Sequence, residues 1–232
     1  MDNFFRRLKY YGIGFGIGLV FVVLLFQQKG CSWTPGNRVK SAILERIVFI
    51  DSLDERYIKA HNISPKILRK FIENGTVSFL KSKRNGQEKL YHFHGTLGSD
   101  KSFNCLVGYR EKSVVVDLDF EHSDIKQYKP LAGFAKPFLY KKKNWFSGKW
   151  NLYELKGMVP SSAPEKFTEL FLKNGRLDCS KSTFDVQKPT SYLSFTNQFA
   201  KHHKQEYQMR TIWYQEKIEI KDLSIIDIKS NN

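Results

Sequence analysis

The sequence predicts an α+β protein: a single N-terminal transmembrane helix followed by two small repeats, each a helix plus an antiparallel meander. Three observations carry this. An uncharged run, Tyr10 to Phe26, follows a basic start. Phe71 to Ser82 (FIENGTVSFLKS) is echoed one hundred residues later by Phe171 to Ser182 (FLKNGRLDCSKS), with five of twelve positions identical and no gap. Each copy is led by a proline, Pro65 or Pro164, suited to a first helical turn, and stops at Asn-Gly, a helix-terminating pair. Strands are expected after both, with Gly75 and Gly175 at positive φ.

The predicted organisation is a basic cytoplasmic tail (1–9), an anchor (10–28), a first repeat (37–122), a linker with a possible hairpin (123–160) and a second repeat (161–232). The 17 residues of the apolar run span about 25 Å as a helix, and Gln27 and Gln28 extend it to the lower limit for crossing a bilayer. No small-x-small cleavage pattern follows, which favours an uncleaved anchor over a signal peptide. A lipoprotein signal with Cys31 as the lipidated residue is the other alternative, but Gln28 and Lys29 do not suit it. Arg6, Arg7 and Lys9 beside the run favour a cytoplasmic N-terminus and an extracytoplasmic body. Gly12, Gly14, Gly16 and Gly18 form two overlapping Gly-x-x-x-Gly pairs, a pattern that lets another membrane helix approach closely.

After a turn-rich exit containing Trp33, Asn37 is expected to cap a helix carrying Ile43, Leu44 and Ile47. A second helix is expected from Ser52 to about His61. Ser64 is expected to cap a third, striped by Ile67, Leu68, Phe71 and Ile72. Strands are predicted at 77–80, 90–94, 104–109 and 114–120, with Asn85-Gly86 turning the first hairpin. Pro130, Gly133 and Pro137 suggest the linker, and 145–155 fits a hairpin or a short helix. Ser161 or Ser162 is expected to cap the second repeat's helix, with strands at 176–179, 192–195, 209–214 and 223–228. Weaker echoes, Tyr109-Arg-Glu-Lys with Tyr214-Gln-Glu-Lys and Val116-Asp-Leu with Ile226-Asp-Ile, suggest duplication into two packed domains.

From residue 33 onward the chain has 34 basic and 22 acidic residues, a net +12 that favours anionic partners: lipid headgroups, acidic glycans or nucleic acid. The 19 Phe and 11 Tyr argue against disorder. Cys31, Cys105 and Cys179 are too scattered for a metal motif. Two buried thiols and one beside the membrane are expected, the alternative being a Cys105–Cys179 disulfide.

No catalytic constellation and no phosphate-binding loop is recognisable, so no catalytic residue and no cofactor is assigned. The one metal candidate is His92 with His94, which share a face of a strand. A third ligand would have to come from His122, Asp117 or Asp119, and two solvent-facing histidines are the simpler expectation. His202-His203 is expected in a hairpin loop.

The basic start, the Tyr-Tyr-Gly-x-Gly-x-Gly anchor, the Cys-Ser-Trp exit with Asn-Arg-Val, and the helix-Asn-Gly-strand unit resemble small membrane-anchored bacterial proteins of the domain of unknown function 4258 type. The similarity covers 1–120 best and 160–230 more weakly. The second copy is a departure, and the resemblance implies no substrate.

The expectation is therefore a single-pass bacterial inner-membrane protein with a periplasmic body. It acts as a binding or accessory component, not an enzyme, with the bilayer, another membrane protein or an anionic surface as partner. The alternative is an RNA-cleaving or RNA-binding protein of the RelE/BrnT type, for which the body would have to be cytoplasmic.

Overall fold

A computed structural model of the chain describes residues 2–29, 34–97, 102–147, 164–183, 190–200 and 203–228. The fold is α+β and divides into two units, Met1–Val39 and Lys40–Asn232. The predicted exit at Cys31 and Trp33, the cap at Ser161 or Ser162, most of the 145–155 segment, and His202 lie outside the described residues.

In the first unit, helix α1 (Asp2–Lys29) contains a 21-residue stretch, Phe4–Leu24, long and apolar enough to cross a membrane, with none of its window buried. The Ile, Leu, Val and Phe side chains of Phe4–Leu24 are exposed within the chain.

Helix α2 (Pro35–Leu44) leads into the second unit. Its first turn is capped by Thr34, whose Oγ1 accepts from Asn37 N at 3.4 Å, so the expected cap Asn37 is itself helical. Ile47 does not extend this helix. Ile47–Ile50 is strand β1, an unbroken buried run of Ile, Val, Phe and Ile that suits a central strand covered on both faces.

Helix α3 (Ser52–Ala60) is capped by Asp51, which accepts from Leu53 N and Asp54 N in a capping box completed by Asp54. Helix α4 (Pro65–Asn74) starts at Ser64, whose Oγ accepts from Ile67 N at 3.3 Å, and buries Leu68, Phe71 and Ile72. The meander follows: β2 (Thr76–Lys83), β3 (Glu88–Thr96), β4 (Ser102–Arg110) and β5 (Val115–Asp119). Gly86, with φ +104°, turns the first hairpin.

The stretch expected as a linker instead contributes β6 (Phe134–Leu139), with β7 (Phe146–Ser147) after it. Pro137 is tolerated inside β6 because it lies opposite Phe49, beside the register shift in the β1 pairing. Helix α5 (Pro164–Asn174) then precedes β8 (Gly175–Thr183), β9 (Thr190–Ala200), β10 (His203–Trp213) and β11 (Ile218–Ile228).

Among the described residues eleven strands join in one sheet, ordered β2-β3-β4-β5-β1-β6-β8-β9-β10-β11-β7. Strand β6 is the bridge, antiparallel to both β1 and β8. The sheet is not purely antiparallel, because β1 runs parallel to β5 and β7 parallel to β11. One hydrophobic cluster draws on both halves: Ile47, Phe49 and Val115 pack with Phe171, Leu177 and Trp213, and the Phe49 and Trp213 rings lie 5.5 Å apart.

The twelve-residue echo occupies comparable places. Phe71 and Phe171 are buried on the last turns of α4 and α5. Val77 pairs with Phe93 and Leu177 with Leu193; the register breaks between Ser78 and Lys83 in one hairpin and between Asp178 and Thr183 in the other. Ser82 Oγ donates to Ser78 O at 2.6 Å, and Ser182 Oγ to Asp178 O at 2.5 Å. The Val116 and Ile226 echo does not correspond: Val116 pairs with Tyr109 beside the turn, whereas Ile226 pairs with Glu206 far along its ladder.

Neither glycine has the expected positive φ; Gly75 is extended, with φ −63° and ψ 164°. Close approach requires them instead. A Cβ on Gly75 would stand 2.6 Å from Phe71 O, and one on Gly175 would collide with Phe171 O and the Phe171 ring. Gly75→Ala and Gly175→Ala are therefore each expected to destabilise the body by about 1–3 kcal/mol through overpacking. Chemical denaturation of the full chain in detergent checks this, and unchanged midpoints would refute the steric account.

Candidate functional site

A buried polar constellation lies on one face of the first half of the sheet. Glu88 is opposite Arg110 across β3 and β4, and Gly108 is opposite Asp117 across β4 and β5. In antiparallel ladders opposed residues share a face, so these four line up beside one another. Arg110 donates to Asp117 Oδ1 at 3.1 Å and to Glu88 Oε1. Tyr128, from the loop between β5 and β6, donates to Asp117 Oδ2 and lies 3.3 Å from Glu88 Oε1. Asp117 is fully buried and Arg110 is 8% exposed. Gly108 is required for space, since a Cβ there would overlap both the Asp117 carboxylate and the Tyr128 hydroxyl.

The electrostatics of this network follow from its burial and from the opposite charges that face one another. Burial weakens the Arg110 charge, but Asp117 and Glu88 outweigh it and raise the guanidinium pKa further. Burial, reinforced by Asp117 and Glu88, raises the Tyr128 phenol well above its ordinary value and keeps it protonated. Glu88 is raised by burial and by Asp117 against the pull of Arg110. A guanidinium clamped between two carboxylates and a phenol holds three strands and a loop together.

A second group sits at the C-terminal ends of the parallel pair β1 and β5. Asp51 caps α3 and accepts from Ala132 N at 3.3 Å. Asp119 accepts from Glu121 N and His122 N at 3.1 Å and Lys129 N at 2.9 Å, and His122 Nδ1 lies 3.0 Å away, so one carboxylate organises the following loop. Asp54 is 7% exposed, and burial, with Asp51 beside it, pushes its carboxyl from 3.8 up to about 8.

Between those two values the folded chain keeps a proton that the unfolded chain has lost. Stability therefore falls as pH rises from about 4 to about 8, by at most about 1.4 kcal/mol per pH unit. Asp54→Asn is expected to flatten that fall. Thermal melts of both proteins across the window would show it, and parallel curves would contradict the assignment.

The sequence-predicted metal pair is only partly as expected. His94 is exposed, with Nδ1 2.9 Å from Asn104 Oδ1. His92 is not on a solvent face: it is 3% exposed, its Nδ1 has no hydrogen-bond partner, and burial together with Lys81 and His94 lowers its pKa. Asp117 and Asp119 are engaged in the two groups above, and His122 is held by Asp119. Among the described residues, no three His, Cys, Asp or Glu side chains converge on a metal position.

Cys105 and Cys179 are free thiols, not a disulfide; burial pushes Cys179 up to about 12 and Cys105 higher still. Cys31 lies outside the described residues. Sequence reasoning missed Glu88, Arg110 and Tyr128 altogether. The available signal was Asp117 and Asp119 alternating inside the apolar strand Val115-Val-Asp-Leu-Asp. No family model, curated protein or solved structure matches this chain.

Proposed function

We propose that this protein is a single-pass inner-membrane protein whose extracytoplasmic body is a binding or accessory module without catalytic activity. The observation that carries this reading is the 21-residue stretch Phe4–Leu24, apolar enough to cross a membrane and unburied, whose cations Arg6, Arg7 and Lys9 all fall in its first turns, at the end that should stay in the cytoplasm. The mutual hydrogen bonds of Arg110, Asp117 and Tyr128 support a structural role for the most chemical-looking residues. Gly12 with Gly16, and Gly14 with Gly18 on the other side of the helix, are the two small-residue faces proposed for contact with a second membrane helix; within the chain a Cβ at any of them would meet nothing within 4 Å. The resemblance to domain of unknown function 4258 proteins adds membrane anchorage but no substrate.

The body is further proposed to be an internal duplication, α4-β2-β3-β4-β5 with α5-β8-β9-β10-β11. The shared one-hundred-residue offset in strand register and the paired Ser82 and Ser182 bonds support it.

Reporter fusions at both termini test the topology. A periplasmic reporter is expected to be active after residue 232 and inactive before residue 10. The reverse result would place the body in the cytoplasm and make the RelE/BrnT-type RNA-directed alternative the better account of its +12 charge.

A further inference from the structure

Four connections converge at one end of the sheet. Arg46, between α2 and β1, is 2% exposed and donates to Ala42 O at 2.6 Å, Ser113 O at 2.9 Å and Glu111 O at 3.0 Å, while its guanidinium lies 4.5 Å over the Tyr109 ring. The turn between β4 and β5 is thus tied to the end of α2. Lys141 pairs with Glu45 at 2.8 Å, which brings in the segment after β6. Ile218 N donates to Trp145 O at 2.7 Å, which adds the turn between β10 and β11.

This end face is basic beyond its internal pairs. Lys141 neutralises Glu45, and Lys89 pairs with Glu111. Lys112, Lys142 and Lys217 are exposed and Lys143 is half-buried, with Glu216 the remaining acidic residue of the β10–β11 turn. Two of these cations are backed by aromatic rings: Lys143 Nζ lies 4.2 Å over Trp145, and Lys217 Nζ lies 5.4 Å over the half-exposed Tyr214. Ammonium groups held over aromatic and apolar stems, heads outward, suit a layer of anionic headgroups.

We propose that this end of the body docks on anionic lipid headgroups of the bilayer that holds α1. The inference rests on the single-pass reading. It commits to lipid because of the tether: Lys29 is followed after a few residues by α2, which leads into this face and spans only about 15 Å. Tethering raises the local concentration of the surface, so a few lysines, each worth roughly fivefold in affinity, suffice for docking.

The test uses the full chain in nanodiscs of phosphatidylcholine alone or mixed with phosphatidylglycerol, followed by hydrogen exchange at residues 111–113, 140–145 and 214–217. Exchange is expected to slow about tenfold in the mixed discs. Roughly 0.5 M salt should abolish the difference. The variant carrying Lys112→Gln, Lys142→Gln and Lys217→Gln should lose the difference while matching the parent in phosphatidylcholine, which certifies its fold. Equal exchange in both lipids, or a variant that keeps the difference, overturns docking and leaves the anchor standing. Failure to enter discs at all strikes the single-pass reading instead. Protection by an added RNA oligonucleotide or heparin, without any effect of phosphatidylglycerol, overturns the lipid assignment in favour of a soluble polyanion.

Discussion

Phe71→Ala and Phe171→Ala are each expected to cost about 3–5 kcal/mol, enough to unfold a body of ordinary stability. Phe71 is 2% exposed, with its ring 5.2 Å from Phe103 and 6.4 Å from Phe93, and Gly95 presses against it so closely that a Cβ there would lie 3.4 Å from the ring. Phe171 is fully buried, edge-on to Phe146 at 5.0 Å and to Trp213 at 6.2 Å. Backbone lies on one side of each ring and aromatic neighbours on the other, so neither site can collapse to fill the space left behind. Because Phe171 belongs to a cluster shared with Ile47, Phe49 and Val115, its truncation should unfold both halves together. Urea titrations followed by near- and far-ultraviolet circular dichroism measure both effects. A loss below about 1 kcal/mol at either position would refute the packing account, and separate transitions for the two halves would refute the shared core.

Asp117→Ala should be comparably damaging, at about 3–5 kcal/mol, for an electrostatic reason. It leaves the Arg110 guanidinium buried without its fully buried carboxylate partner, and it removes the closer acceptor of the Tyr128 hydroxyl. The diagnostic variant replaces the buried pair together. Arg110→Met with Asp117→Leu should recover most of the loss, because apolar side chains of similar volume need no partners. A double-mutant cycle then gives a large coupling between the two positions, whereas additive losses would mean that they do not act as a pair.

Much of the secondary structure was legible. The strands of both meanders and the α4 and α5 boundaries followed from alternation, from Pro65 and Pro164, and from Asn-Gly punctuation. Strand β1 was hidden because Ile47 continues the helical spacing of Ile43 and Leu44, and a four-residue apolar run shows no period of its own. Strand β6 was hidden by Pro137, which ordinarily argues against a strand and is accommodated here only by an irregular register. The glycines at 75 and 175 were correctly singled out but for the wrong cause, since backbone torsion is a local property and the approach of Phe71 and Phe171 is a matter of packing.

By itself, the sequence determined the apolar helix, the mixed α+β character and the helix-Gly-strand units, because each depends on residues that are near neighbours along the chain. Only the tertiary structure decided that β1 and β6 weld the two meanders into a single sheet, and that Glu88, Arg110, Asp117 and Tyr128 meet in its interior. Those four lie up to 40 residues apart. Charged and polar residue types ordinarily mark a solvated surface, so only strand register and the cover supplied by a distant loop could show that these were desolvated and bound to one another.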